Sequence, residues 1–302
     1  MTVLDTPHAG TTAISTDLEV RSLSGRIGAE IRGVDLRVPP DPNLVTALRA
    51  LLVEHKVIFF PGQHLSPAEH IALARSFGDP TSAHPVLPGL PDHPEVFEID
   101  YTLARTLALG SSNPNYDPNS WHTDVTFVER PPLGSILNAV VIPPAGGDTL
   151  FSNQEAAYEA LSEQFKALLE GLTATHSGQR QFGAYLRQRG DGGGEWEGEQ
   201  YRELVPVRHP VVRTHPESGR KSIFVNPGFT ERIDQLAPRE SEALLEFLFA
   251  HSVRPEFTVR YHWQAGDLGF WDNRATQHSV VADFGDQHRV IQRVTLRGDE
   301  PV

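Results

Sequence analysis

The sequence predicts a mainly β fold, a sandwich or jelly roll decorated by flanking helices. β-Rich runs at 96–99, 134–141, 205–212, 221–225, 257–263, 268–271 and 289–296 dominate the chain. Turn residues such as Glu217-Ser218-Gly219 and Gly146-Gly147-Asp148 separate several of them. Helical patterning is confined to a few stretches, and 24 prolines with 25 glycines imply many turns in 302 residues. No internal repeat or linker divides the chain. Residues 18–302 are therefore expected to form one domain, after a disordered tail at 1–17.

The opening is α/β in character. Over residues 43–55, Leu44, Leu48, Leu51 and Leu52 recur at helical spacing and define one apolar face. Val57–Phe60 is a short apolar strand ended by Pro61-Gly62. Ser66-Pro67-Ala68-Glu69 then spells a capping box with proline at the first helical position, and Gly78 supplies the stop. Two later helices are expected, at 154–169 and at 238–251, the second with Leu244, Leu245 and Leu248 toward the core. Segment 177–203 stands apart. Gly190, Gly192, Gly193, Gly194 and Gly198 crowd its second half and mark it as a candidate lid.

Composition excludes several classes of function. With 26 Lys+Arg against 39 Asp+Glu the formal charge is −13, which argues against a nucleic-acid backbone or an anionic membrane as main partner. A small anionic substrate is still admissible, because charge inside a cleft can oppose the net charge. No apolar run approaches the roughly 18 residues of a membrane helix. The first residues lack the basic start and apolar stretch of a signal peptide, so a cytoplasmic location is expected. Zero cysteines remove disulfides, thiolate metal sites and cysteine nucleophiles together. Any metal must be held by histidine and carboxylate, and 14 histidines supply it.

The informative segment is Trp121-His122-Thr123-Asp124. In extended chain, positions i and i+2 point the same way, so His122 and Asp124 can meet one cation. Such a pair suits Fe(II), Zn or Mn, but two ligands make a weak site, and taken bare a surface pair is the favoured reading. His278, after Trp271-Asp272-Asn273-Arg274-Ala275-Thr276-Gln277 and at a turn-rich bend, offers a third ligand. Two histidines and one carboxylate form the facial arrangement of non-haem Fe(II) oxygenases. Arg289 and Arg293 are four apart in a β-rich run, so both guanidiniums share a strand face with Ile291. Turned inward they would need anions to pair; on an edge strand they would sit in solvent.

Taken together, His122-Thr123-Asp124, Gly146-Gly147-Asp148-Thr149-Leu150, Trp271 to Arg274 with Thr276-Gln277-His278, and Arg289 with Arg293 resemble the taurine/2-oxoglutarate dioxygenase family. The match runs from about Val20 to Pro301. It is closest to the bacterial taurine-cleaving members across His209 to Pro216, Phe224-Val225-Asn226 and the 240–251 helix.

The resemblance implies a double-stranded β-helix (jelly-roll) core with Fe(II) held by His122, Asp124 and His278. It implies that Arg289 and Thr149 grip the distal carboxylate of the cosubstrate 2-oxoglutarate, with O2 as oxidant. His84 and Arg293 match positions that receive a sulfonate. Phe182 and Phe229 match aromatic walls around its carbon chain, and Asp117 an acidic position beside it. By bare residue type, His84 could equally cap a backbone group, the two phenylalanines be core aromatics and Thr149 an ordinary strand residue. Asp272 and Asn273 read as structural, orienting the bend that delivers His278, and Trp121 as packing.

The implied reaction is hydroxylation of the carbon next to the sulfonate of taurine or a related organosulfonate. Sulfite and an aldehyde would leave, with succinate and CO2. An alkyl sulfate ester is the alternative within the family; outside it stand a Zn hydrolase and a metal-binding module, neither of which needs the Arg289–Thr149 clamp. Two departures bear on substrate. Where the taurine-cleaving members carry a tyrosine and an asparagine, this chain has Leu87 and Pro118. A small-molecule substrate and a homo-oligomer, dimer or tetramer, are expected.

Overall fold

The computed structural model describes residues 18–101, 120–189, 195–196, 198–201 and 203–302. Strands β1 (Glu19–Ser22) and β2 (Ala29–Arg32) precede α1 (Pro42–His55), β3 (Val57–Phe60), α2 (Pro67–Phe77) and β4 (Phe97–Asp100). The middle of the chain carries β5 (Gly134–Val141), β6 (Thr149–Asn153), α3 (Gln154–Glu159), α4 (Glu163–Leu169), β7 (Thr173–His176) and α5 (Gln179–Arg189). Short strands β8 (Glu195–Trp196), β9 (Glu199–Gln200), β10 (Val207–Pro210), β11 (Val212–Thr214), β12 (Lys221–Ile223) and β13 (Thr230–Ile233) follow. The chain closes with α6 (Pro238–Ser252), β14 (Thr258–Tyr261), β15 (Leu268–Asp272), β16 (Thr276–Val280) and β17 (Val290–Leu296).

These elements form a jelly-roll core. A seven-stranded sheet in the order β1-β2-β3-β15-β5-β17-β4 faces a three-stranded sheet, β14-β6-β16. Between them lies a layer that includes Val57, Phe59, Leu137, Phe151, Trp263, Trp271 and Ile291. The outer face of the large sheet is covered by α1 and α2, whose Leu48, Leu52, Ile71 and Phe77 meet Ile136, Phe270, Val294 and Leu296. Both helices start where local chemistry places them. Asp41 accepts from the backbone N–H of Asn43 and Leu44, and Ser66 with Glu69 closes a full capping box.

Several expectations are corrected. The 154–169 helix is two helices, because Ser162 takes the Phe165 N–H at 3.3 Å and starts a second one. The 205–212 strand is also two: β10 pairs with β7, and after Pro210 the chain turns to pair β11 with β12. Strand 257–263 is shorter, preceded by a 3-10 turn at Pro255–Phe257. His278 lies inside β16 and not in a bend. The candidate lid begins with α5, which carries Phe182; the tail at 1–17 falls outside the described residues. No helix among the described residues is long and apolar enough to cross a membrane.

Candidate active site

Sheet pairing brings the three expected metal ligands together. His122 and His278 exchange backbone hydrogen bonds of 3.0 and 2.8 Å, which locks the 122–124 segment onto β16. Thr123 donates to the Thr276 carbonyl at 2.7 Å and fixes the register. The ligand atoms of His122, Asp124 and His278 then lie within 4.8 Å of one another, with Asp124 Oδ1 at 3.9 Å from each Nε2. Gly228 allows this approach, since a Cβ there would stand 2.8 Å from that of His122.

Neighbouring groups orient each ligand. His122 Nδ1 faces the Ser120 carbonyl at 2.8 Å; the tautomer this favours carries its proton on Nδ1 and frees Nε2 for a metal. Ser135 donates to Asp124 Oδ2 at 2.7 Å, so Oδ1 is the oxygen that faces the histidines. Asn273 does more than orient a bend. Its Oδ1 accepts the Asp124 N–H at 2.8 Å and its Nδ2 donates to the Asp124 carbonyl at 3.0 Å, clamping the turn from both sides. Asp272 instead pairs with Arg274 and His215. The His278 ring is seated against Trp271, with centroids 4.9 Å apart.

Burial sets the charge state. It pushes His278 down to about 3 and lowers His122 as well, keeping both imidazoles neutral. Burial alone would raise the Asp124 carboxyl, but Arg293, His278 and His122 together hold it well below the usual carboxylate range. Two neutral imidazoles and one carboxylate are the protonation states a divalent cation requires.

Both arginines are buried, Arg293 within β17, which lies between β5 and β4, and Arg289 at the residue before it, since the expected 289–296 strand begins at Val290. The edge-strand reading is excluded. Arg293 donates to Asp124 Oδ1 and lies over Phe97, 5.4 Å from the ring centre. Arg289 is fully buried; its Nε donates to the Gly147 carbonyl at 3.1 Å, while Nη1 and Nη2 have no hydrogen-bond partner among the described residues. Gly147, at φ 76°, lets the chain pass over this side chain, because a Cβ would come within 3.0 Å of Arg289 Cδ and Nε. Thr149 accepts from Trp263 Nε1 at 2.9 Å. Two buried, unpartnered guanidinium nitrogens fit a carboxylate ligand, and the donor set at 122, 124 and 278 fits Fe(II).

The chain belongs to the TauD/TfdA dioxygenase family. The sequence model described as "Taurine catabolism dioxygenase TauD, TfdA family" matches residues 19–295. An alkylsulfatase of Acinetobacter baylyi is 41% identical over 93% of this chain and 86% of its own length. An alpha-ketoglutarate-dependent sulfate ester dioxygenase of Pseudomonas putida is 40% identical over 98% of this chain and 93% of its own. The crystal structure of a taurine dioxygenase from Burkholderia xenovorans superposes with a TM-score of 0.78 at 40% identity, covering 95% and 93% of the two chains. As a TauD/TfdA member the protein is a dioxygenase dependent on Fe(II), 2-oxoglutarate and O2. The Zn-hydrolase and metal-binding-module readings fall away with that assignment.

The remaining expected residues of this TauD/TfdA chain divide into two groups. His84, Phe182 and Phe229 converge. His84 is buried beside the Phe182 ring at 4.8 Å, and Phe229 stands 5.9 Å from the His122 ring. His84 also caps backbone as its residue type allowed: Nδ1 accepts from Val86 and Leu87 at 3.0 and 3.2 Å, which leaves Nε2 to carry the proton. Burial, then Arg293, pushes its pKa down to about 3. Asp117 and Pro118 lie outside the described residues. Sequence reasoning missed Phe127, whose ring sits 4.9 Å from Phe229 and 5.6 Å from Phe182. It also missed Phe97 and Ser135. Phe127 had a signal, three positions after Asp124; the others announce themselves only through cross-strand neighbours.

Proposed function

We propose that the protein oxidatively cleaves an alkyl sulfate ester, with His122, Asp124 and His278 holding Fe(II). The observation that carries this reading is an anion-binding pair beside an apolar wall. Arg293 and His84 both rest on Phe97, while Leu87 joins Phe127, Phe182, Leu186 and Phe229 in one apolar cluster. A sulfate head would meet the charged pair, and a carbon chain would meet the cluster, gaining roughly 0.8 kcal/mol per buried methylene. The names of the Acinetobacter and Pseudomonas relatives support the same choice.

Fe(II), when bound, supplies the electrons that activate O2 for hydroxylation of a carbon. Arg289 binds the distal carboxylate of 2-oxoglutarate through its two terminal nitrogens. Thr149, already an acceptor for Trp263, turns its own O–H to the same carboxylate. Arg293 and the His84 Nε2–H orient the sulfate, and the aromatic cluster excludes water from the reacting carbon. One oxygen atom of O2 enters succinate and the other the carbon bearing the ester oxygen. That carbon collapses to an aldehyde and expels sulfate with a proton; CO2 leaves from the oxo acid. Phe182 reaches the site on α5, the described helix of the candidate lid, and covers the substrate pocket beside His84.

A sulfonate such as taurine is the second reading, favoured by the likeness to the Burkholderia enzyme. The two are separated by incubating hexyl sulfate, butanesulfonate and taurine with Fe(II), 2-oxoglutarate and O2, then quantifying sulfate, sulfite and succinate. Sulfate release matched to succinate is expected. Sulfite from taurine at far higher kcat/KM would install the second reading, and release of neither would reject both.

A further inference from the structure

We infer that Tyr101 is a positioning residue of the cosubstrate clamp, covering one face of the Arg289 guanidinium so that its terminal nitrogens stay aimed at a carboxylate. This rests on the proposed role of Arg289. Tyr101 directly follows β4, and its N–H donates to the Arg289 carbonyl at 3.0 Å, so the two residues are tied across the sheet edge. The guanidinium carbon lies 4.7 Å from the Tyr101 ring centre and 5.9 Å from that of Phe284. Tyr101 and Phe284 meet edge to face at 5.5 Å and 85°. Arg289 thus occupies an aromatic corner, fixed at Nε by the Gly147 carbonyl. Asp148, whose charge bears on Arg289, is already held by Arg260 and His262. With no carboxylate among the described residues bonded to it, the guanidinium takes its orientation from the Gly147 carbonyl, the Tyr101 side chain and the Phe284 ring, and a desolvated cation over a ring is a favourable contact. Burial also raises the Tyr101 phenol, so the ring stays neutral at working pH.

The test measures N-oxalylglycine, a redox-inert isostere of 2-oxoglutarate, binding to the Mn(II)-loaded protein by calorimetry. Tyr101→Leu, which keeps bulk without a π face, and Tyr101→Ala are each expected to weaken binding about tenfold, equivalent to about 1.4 kcal/mol. Tyr101→Phe should stay within about twofold of the parent, and Mn(II) affinity should be unchanged in all three. Arg289→Lys runs alongside. An unchanged dissociation constant in Tyr101→Leu, with Arg289→Lys weakened, overturns the inference alone. Equal losses in Tyr101→Phe and Tyr101→Leu overturn it too, because the hydroxyl and not the ring face would then be the agent. An unchanged constant in Arg289→Lys overturns the clamp reading itself.

Discussion

Arg293 lies within β17 and Arg289 immediately before it, both buried, yet their surroundings differ. Arg293 has an internal counter-charge, the Asp124 carboxylate, and its charge bears on His84. Arg289 has a carbonyl at Nε and aromatic rings on its faces, but no bonded carboxylate among the described residues. A buried cation without an anion is costly, and a fold that keeps one is holding it for a ligand. On the proposed reading, Arg293 is a cation that shares its anion with a metal, and Arg289 is a cation whose anion arrives from outside. Identical residue type and similar burial would then serve two different tasks.

The largest effect comes from removing the shared anion. Asp124→Ala should abolish Mn(II) binding and reduce succinate formation to background, measured by calorimetry and by product assay. Turnover at the parent rate in this variant would show that the trio is not the metal site.

Stability without metal or cosubstrate should respond to the two arginines with opposite sign. Arg293→Met strands the buried Asp124 and is expected to cost about 3–5 kcal/mol. Arg289→Met removes a buried charge to which no carboxylate of the described residues is bonded, and is expected to be neutral or stabilising. Urea titration of the two variants checks this; losses of equal size would mean that the environments do not differ as described.

Binding should separate them next. Arg289→Lys loses the bidentate fork, and a charge-assisted bond worth roughly 1.5–3 kcal/mol predicts about tenfold or more weaker cosubstrate binding. Arg293→Gln should raise KM for the sulfated substrate far more than KM for 2-oxoglutarate. The reverse ordering in steady-state kinetics would exchange the two assignments.

The smallest effect is on His84. Burial comes first in holding its pKa at about 3, and Arg293 second. Arg293→Gln should therefore raise the His84 pKa in an NMR titration, whereas Arg289→Gln should leave it where it is. The sign follows for stability. An unfolded histidine takes a proton near pH 6.5 and the folded His84 only near 3, so its contribution is complete above about pH 6.5 and erodes as pH falls toward 3. A stability profile flat through that window in the parent, and unchanged on replacing His84, would contradict this.

Much of the site is legible in the order of the amino acids. The i, i+2 spacing of His122 and Asp124 states which side chains share a face, because extended-chain geometry is local, whereas the i, i+4 spacing of the arginines spans the start of β17, which leaves Arg289 outside the strand. The starts of α1 and α2 are legible for the same reason, since a cap is satisfied within three residues. Two element boundaries are not, although their causes are equally local. Ser162 sits in a run patterned as helix interior, yet its hydroxyl starts a new helix, and Pro210 sits in a run patterned as strand, yet the chain turns there. The resemblance to the family supplies His84, Phe182 and Phe229, which residue type alone leaves as a cap and two core aromatics.

By itself, then, the sequence determined the donor set, the absence of thiolates, the paired arginines and the family. Tertiary structure alone decided that His278 lies in β16 opposite His122, that Asn273 and Ser135 hold Asp124, and that Phe127 centres the apolar wall. It also decided which arginine would be paired and which would be left between Tyr101 and Phe284. The physical reason is range. Side-chain direction within a strand or cap is set by a few neighbouring dihedrals, whereas partners across a sheet are set by pairing energies spread over many residues far apart in the chain.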